Sequence, residues 1–164
     1  MKKFNLKKLA LGLLLVGGVT FAANAQTFQK GNILVNAGAK FASGITPIGG
    51  AIEYGFTDQL SGGVDAFFGK VSGTNVSTTW LGARVSYHFD AGVENLDLYA
   101  GPRVGYYMSK VSVMGFTASA NAVDYGAQAG GRYFFAKNIG VYGEAGYGGN
   151  GAGFGFGAGL ALKF

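Results

Sequence analysis

The 164-residue sequence contains no cysteine, two prolines, one histidine and one tryptophan. Without cysteine there is no disulfide scaffold and no thiolate metal site. Two prolines and no Gly-X-Y period exclude a collagen-like chain. Charge is scarce too. Asp, Glu, Lys and Arg make up 13% of residues, about half the ~25% of an ordinary soluble domain. Residues 26–164 contain no unbroken apolar run of the ~18 residues that a spanning helix needs. Glycine, by contrast, is abundant at 31 residues, well over twice the usual share of about 7%. At up to ~1 kcal/mol per residue against helix, that density disfavours a long-helix protein. The hydrophobic share of 49% and aromatic share of 15% are too high for a disordered chain. A β-rich protein that does not face water on all sides remains.

The net charge of +5 is concentrated at one end. Lys2, Lys3, Lys7 and Lys8 precede an apolar run over residues 9–16, and small residues follow as far as Ala23-Asn24-Ala25. Basic head, apolar middle and small-x-small end are the order of a cleaved secretory signal. The apolar middle is shorter than the ~20 residues of a membrane anchor. Residues 1–25 are therefore expected to be a signal peptide for the Sec pathway, and residues 26–164 one domain. Removing four of the 13 basic residues leaves nine against eight acidic ones, a net charge of +1. Nothing in that balance points to nucleic acid.

Within the remaining domain, residues alternate with period two in stretches of about ten, the pattern of strands with two unlike faces. In residues 32–41, Ile33, Val35, Ala37, Ala39 and Phe41 oppose Asn32, Leu34, Asn36, Gly38 and Lys40. Residues 153–164 are the clearest case: Phe154, Phe156, Ala158, Leu160, Leu162 and Phe164 oppose glycines, Ala161 and Lys163. Similar stretches fall at residues 47–56, 60–69, 81–89, 96–107, 123–135 and 139–148, making eight strands. Tight turns are expected at residues 57–59 and 136–138 and a short one at 90–95. Long polar loops are expected at 70–80 and 108–122.

Eight alternating strands suit either a soluble barrel with an apolar lumen or a membrane barrel with an apolar exterior. The large apolar face carries almost no charge, whereas a water-facing surface would be about a quarter or more charged. The apolar face is therefore expected to meet lipid and the polar face to line the lumen. Lipid also requires closure, because an open sheet edge in hydrocarbon leaves backbone groups unpaired at several kcal/mol each. Outward aromatics gather towards two levels. Tyr54, Phe56, Tyr87, Phe89, Tyr133, Phe135 and Phe164 lie near one end. Phe41, Phe68, Tyr106, Tyr125, Tyr147 and Phe154 lie near the other. Two such levels match interfacial girdles.

Three features carry a family resemblance. The last strand ends GLALKF at residues 159–164; YGAQAGGRYFF at 125–135 is followed by a short turn and GVYGEAGYG at 140–148; and the signal-like segment ends before Gln26. Over residues 26–164 the chain resembles the small bacterial outer-membrane β-barrels of OmpA-transmembrane and OmpX type. The resemblance implies an all-β, eight-stranded, antiparallel up-and-down transmembrane barrel, monomeric and located in the bacterial outer membrane. Its implied partners are outer-membrane lipid, lipopolysaccharide, periplasmic chaperones and the barrel-insertion machinery. The terminal Phe164, with Leu162 and Leu160, looks like the signal that this machinery reads. The peptidoglycan-binding domain that follows the barrel in full-length OmpA has no counterpart in this sequence, so anchoring by that route is not implied.

Alternation turns Lys40, Glu53, Asp65, Arg84, Asp97, Arg103, Arg132, Glu144 and Lys163 inward. Unpaired charges in a narrow lumen cost several kcal/mol each, so these are expected to form a mixed network. Lys40, Glu53, Asp65, Arg84, Arg103, Arg132 and Glu144 are its expected members. Eight strands leave an interior just wide enough for side chains, which favours a plug, while the inward glycines leave space that would suit a narrow channel. Ser86 and His88 share a face and invite a nucleophile–base reading. Their place at the short-turn end, away from the outer leaflet, argues for satisfied polar residues near the rim instead. One histidine and scattered carboxylates do not make a transition-metal site. No enzyme activity and no cofactor are expected. The expected function is a structural envelope barrel whose loops mediate adhesion. The alternative is a narrow porin-like channel or a transporter of small solutes, hydrophobic ones included.

Overall fold

The computed structural model describes residues 27–41, 45–70, 74–113, 116–149 and 153–164. The expected signal peptide, residues 1–25, lies outside the described residues. Eight strands follow in chain order: β1 (Ile33–Phe41), β2 (Ile48–Gly55), β3 (Leu60–Lys70), β4 (Val76–Asp90), β5 (Leu96–Val113), β6 (Phe116–Ala136), β7 (Ile139–Gly148) and β8 (Gly153–Lys163). Each pairs antiparallel with the next, and β1 pairs with β8 to close the barrel. The closing seam runs from Leu34 opposite Lys163 to Phe41 opposite Phe156. At its lower end Ile33 and Phe164 exchange both backbone hydrogen bonds at 2.9 Å. Gly38 and Gly159 face each other across it, where a Cβ on either would run into the partner backbone.

The two faces fall as the alternation predicts. Val64, Leu81, Val104, Val141 and Leu160 point out and are about half exposed, as are the aromatics of both levels. Inward positions are buried and mostly polar: Asn36, Glu53, Asp65, Arg84, Asp97, Gln128 and Arg132 are all under 5% exposed. This inverts a water-soluble barrel, in which apolar burial stabilises the fold.

The short turns lie at one end. Thr57 Oγ1 accepts from the amides of Gln59 and Leu60 at 3.2 and 2.9 Å. Asp90 Oδ1 accepts from Gly92 N at 2.9 Å. Asn95 adopts φ 65°, which swings the chain back into β5. The segment before β1 folds beneath this end. Phe28 is 2% exposed there, and Lys163 Nζ donates to Thr27 O at 3.1 Å.

The opposite end corrects the expected loops at residues 70–80 and 108–122. Residues 76–80 belong to β4, 108–113 to β5 and 116–122 to β6. The β5–β6 ladder runs without a slip from Leu96–Tyr133 to Val113–Phe116. At 18 and 21 residues, these strands far exceed the ~9–11 that a tilted membrane strand needs. Residues 108–122 are rich in Ser, Thr and Val, which tolerate extended backbone, and contain no proline. Paired with each other, the two strands satisfy their facing backbone groups without an apolar face, so the hairpin continues past the barrel wall.

Candidate functional site

The candidate site is the lumen. Its floor is built around Arg132, which has no solvent exposure. The guanidinium donates to Asn36 Oδ1 at 2.9 Å through Nε, to Asp97 Oδ2 at 2.8 Å through Nη1, and to Glu53 Oε1 through Nη2. The Tyr99 ring lies 4.0 Å beneath it. Glu53 Oε2 also accepts from Ser61 Oγ at 2.9 Å and Ser86 Oγ at 2.7 Å, and Arg84 Nε stands 3.6 Å from Glu53 Oε1. One carboxylate thus meets two guanidiniums and two hydroxyls. That offsets the desolvation of a buried charge.

A second tier lies above. Arg84 Nη2 donates to Glu144 Oε2 at 2.5 Å, and Tyr99 Oη donates to the same oxygen at 3.0 Å. Lys40 Nζ bridges Asp65 at 3.4 Å and Glu144 at 3.9 Å, and sits 3.9 Å from the Phe67 ring centre. Trp80 Nε1 donates to Asp65 Oδ2 at 2.9 Å. Trp80 fits because its neighbours on the inner wall are Gly82 and Gly105, where a Cβ would strike the indole.

Topology makes these contacts bars across the lumen. In a ring of eight strands, β2 and β6 are diametrically opposite. The Glu53–Arg132 pair joins these two strands, so it spans the barrel. Arg84–Glu144 joins β4 to β7, three strands apart. Lys40, Glu53, Asp65, Arg84, Arg132 and Glu144 therefore meet in one network, and Asp97 joins it. Arg103 faces inward but enters none of these ion pairs. Its guanidinium lies 5.1 Å from the Trp80 ring centre, and its Nε has no hydrogen-bond partner among the described residues. Sequence reasoning missed Asp124, which is fully buried on the inner face of β6 and belongs among the inward acids. Continuing the β6 alternation by one step would have found it. Phe28 was beyond any periodic signal, because it precedes the first strand.

His88 takes its side-chain partners from the neighbouring strands. Ser86 bonds Glu53, while His88 Nε2 lies 2.8 Å from Ser61 Oγ on neighbouring β3, and His88 Nδ1 lies 2.7 Å from Asp97 Oδ1. Ser61, His88 and Asp97 thus have the spacing of a nucleophile–base–acid triad. Access is what they lack. Ser61 has no solvent exposure, Glu53 takes a hydrogen bond from its hydroxyl, and Phe28 stacks on the imidazole with ring centres 3.6 Å apart. The space beside His88 and Asp97 is about 10 Å³, room for one water. A buried hydroxyl with no space for an acyl group is a structural hydrogen bond.

Above the second tier the lumen opens into a cavity of about 260 Å³, with Lys40 and Glu144 at its base and Phe67, Trp80, Arg103 and Tyr107 on its walls. Among the described residues, no group of three or more His, Cys, Asp or Glu is placed to hold a metal ion.

Solved structures of the same shape exist. The N-terminal β-barrel domain of OprF from Pseudomonas aeruginosa is 20% identical, with a TM-score of 0.58, over 82% of this chain and 98% of that one. The fold is that of the small outer-membrane barrels. OprG from Pseudomonas aeruginosa is 15% identical, with a TM-score of 0.60, over 86% of this chain and 99% of that one. Ail, the attachment invasion locus protein of Yersinia pestis, is 14% identical, with a TM-score of 0.58, over 83% of this chain and all of that one. No family model matches the chain, and no curated protein matches it.

Proposed function

We propose that this protein is an integral barrel of the bacterial outer membrane that serves the envelope structurally and presents its β5–β6 hairpin for contact outside the cell. The observation that carries the structural reading is the Glu53–Arg132 bar across the lumen, with the Arg84–Glu144 tier above it. Ions passing through would have to displace charges that are already paired, at several kcal/mol. The half-exposed apolar belt suits hydrocarbon, and in water it would be an association surface far beyond the few hundred Å² that monomers tolerate. The hairpin supports the contact reading: it projects past the wall and exposes Phe116 at 83%. Ail, which shares the fold, is named for attachment and invasion. Export would use residues 1–25 as a Sec signal. Phe164, Leu162 and Leu160 point outward at the end of β8, where the barrel-insertion machinery could read them. We assign no catalytic step.

The deciding experiment is single-channel recording of residues 26–164 refolded into lipid, with folding shown by a heat-dependent gel shift. A folded, silent barrel is the expected result. Steady, reproducible conductance would overturn the closed lumen and establish the alternative, a narrow channel or transporter of small solutes.

A further inference from the structure

The cavity above the second tier has a composition that the network below it does not require. Its volume of about 260 Å³ approaches the lower end of small-molecule pockets, ~300–1,000 Å³. Lys40 and Glu144 at its base are committed to Asp65, Arg84 and Tyr99. Arg103 is the exception. It lines the cavity, stacks against Trp80, and takes no part in the ion pairs that hold the other inward guanidiniums. Asp124, on the neighbouring strand, is buried but does not line the cavity. Phe67, Trp80 and Tyr107 supply apolar faces, and the facing wall is Gly146 and Gly157. A Cβ at Gly157 would meet Lys40 Cγ at 3.5 Å, the Ala39 carbonyl oxygen at 3.6 Å and the Tyr142 ring at 3.7 Å, all ordinary contacts. Backbone packing does not demand that glycine, and its missing side chain enlarges the cavity.

We infer that this cavity is a binding site for a small organic anion with a planar aromatic body, seated against Trp80 with its carboxylate on Arg103. A guanidinium fork suits a carboxylate, and bidentate pairing favours that partner over a neutral group. The indole and phenol faces suit a ring of one or two cycles, since aromatic pairs prefer offset or edge contacts at such distances. Because the bars below close the lumen, the site is a blind pocket, entered and left from the long-hairpin end. The inference goes beyond the envelope role and stands whether or not the hairpin touches a surface.

Trp80 is the only tryptophan in the sequence, so its fluorescence reports on the cavity alone. The refolded barrel is titrated with para-nitrobenzoate, with the neutral para-nitrobenzamide, and with sodium sulfate as a headgroup without a ring. Saturable quenching by the carboxylate, weaker by about tenfold or more for the amide, is expected. Arg103→Gln should weaken the carboxylate about tenfold and leave the amide unchanged. Gly157→Val, which fills the cavity, should abolish saturation by both probes while the gel shift persists. The inference fails if quenching by the carboxylate is linear and unsaturable, or if the amide binds equally well. Unchanged carboxylate affinity in Arg103→Gln would also overturn it. If Arg103→Gln does not fold, the carboxylate–amide comparison and Gly157→Val decide. Displacement of the carboxylate by sulfate at equal concentration would show that the ring contributes nothing, and would refute the aromatic part of the site.

Discussion

Replacing Glu53 with Gln keeps the shape of the side chain and removes its charge. The wild-type carboxylate accepts from Arg132, Ser61 and Ser86 and stands 3.6 Å from Arg84 Nε. Breaking a buried pair by removing one partner costs about 3–5 kcal/mol, because the other charge stays behind uncompensated. Two features pull the value to the lower end of that range. Arg132 keeps Asp97 at 2.8 Å, and Arg84 keeps Glu144 at 2.5 Å. The Gln carbonyl can still accept from one serine. About 3 kcal/mol is expected. The assay is folding and unfolding in urea with lipid vesicles, followed by the gel shift of unboiled samples. With slopes of about 1–3 kcal/mol per molar urea, the midpoint should fall by about 1 M or more. Arg132→Met alone should be similarly harmful, because Glu53 and Asp97 both lose its guanidinium. The double variant Glu53→Gln/Arg132→Met should be less destabilised than the sum of the two, by about 1 kcal/mol or more. A Glu53→Gln midpoint within error of wild type, or additive single changes, would refute the cross-lumen bar as a stabilising unit.

Two further predictions test the outer surface and the chain end. Val85→Arg and Ala127→Arg place a charge on the outward face near mid-height, where each should cost about 2–4 kcal/mol in bilayers; an unchanged folding free energy for either would reverse the assignment of the faces. Deleting Phe164 should lower assembly in cells while the purified variant still refolds in detergent. Normal membrane yields would remove the role of the terminal aromatic.

The eight strands and their faces were legible because one rule governs them over most of their length. Every second residue of β1 or β8 meets a different medium, so Ile33, Val35 and Ala37 separate from Leu34, Asn36 and Gly38 by count alone. That rule lapses past the apolar belt. From Met108 to Val113 and from Phe116 to Ala122 water is available on both faces, so alternation no longer marks a strand, and the segment reads as loop although its ladder is unbroken. The members of the inner network were legible as inward charges, and their pairing was not. His88 shares a face with Ser86 on one strand, but its ring reaches diagonally to Ser61, which the register of the neighbouring strand places opposite Ser86. Arg103 looks like its neighbours in sequence and differs only in what lies around it.

The amino-acid order by itself determined which residues face out and which face in, where the chain turns tightly, and that the inward set mixes both charges. These are local properties, decided by a period of two and by the cost of leaving charge or backbone unpaired in an apolar medium. Which inward charge meets which was decided only by closure. Glu53 and Arg132 are 79 positions apart and become partners because eight strands place β2 opposite β6. Phe28 reaches His88 because the segment before β1 folds beneath the lower mouth. Among the described residues Arg103 makes no salt bridge, because it sits above the paired tiers, on a wall that faces glycine. Distances across a lumen depend on strand number and register together, and no short segment of the sequence contains either.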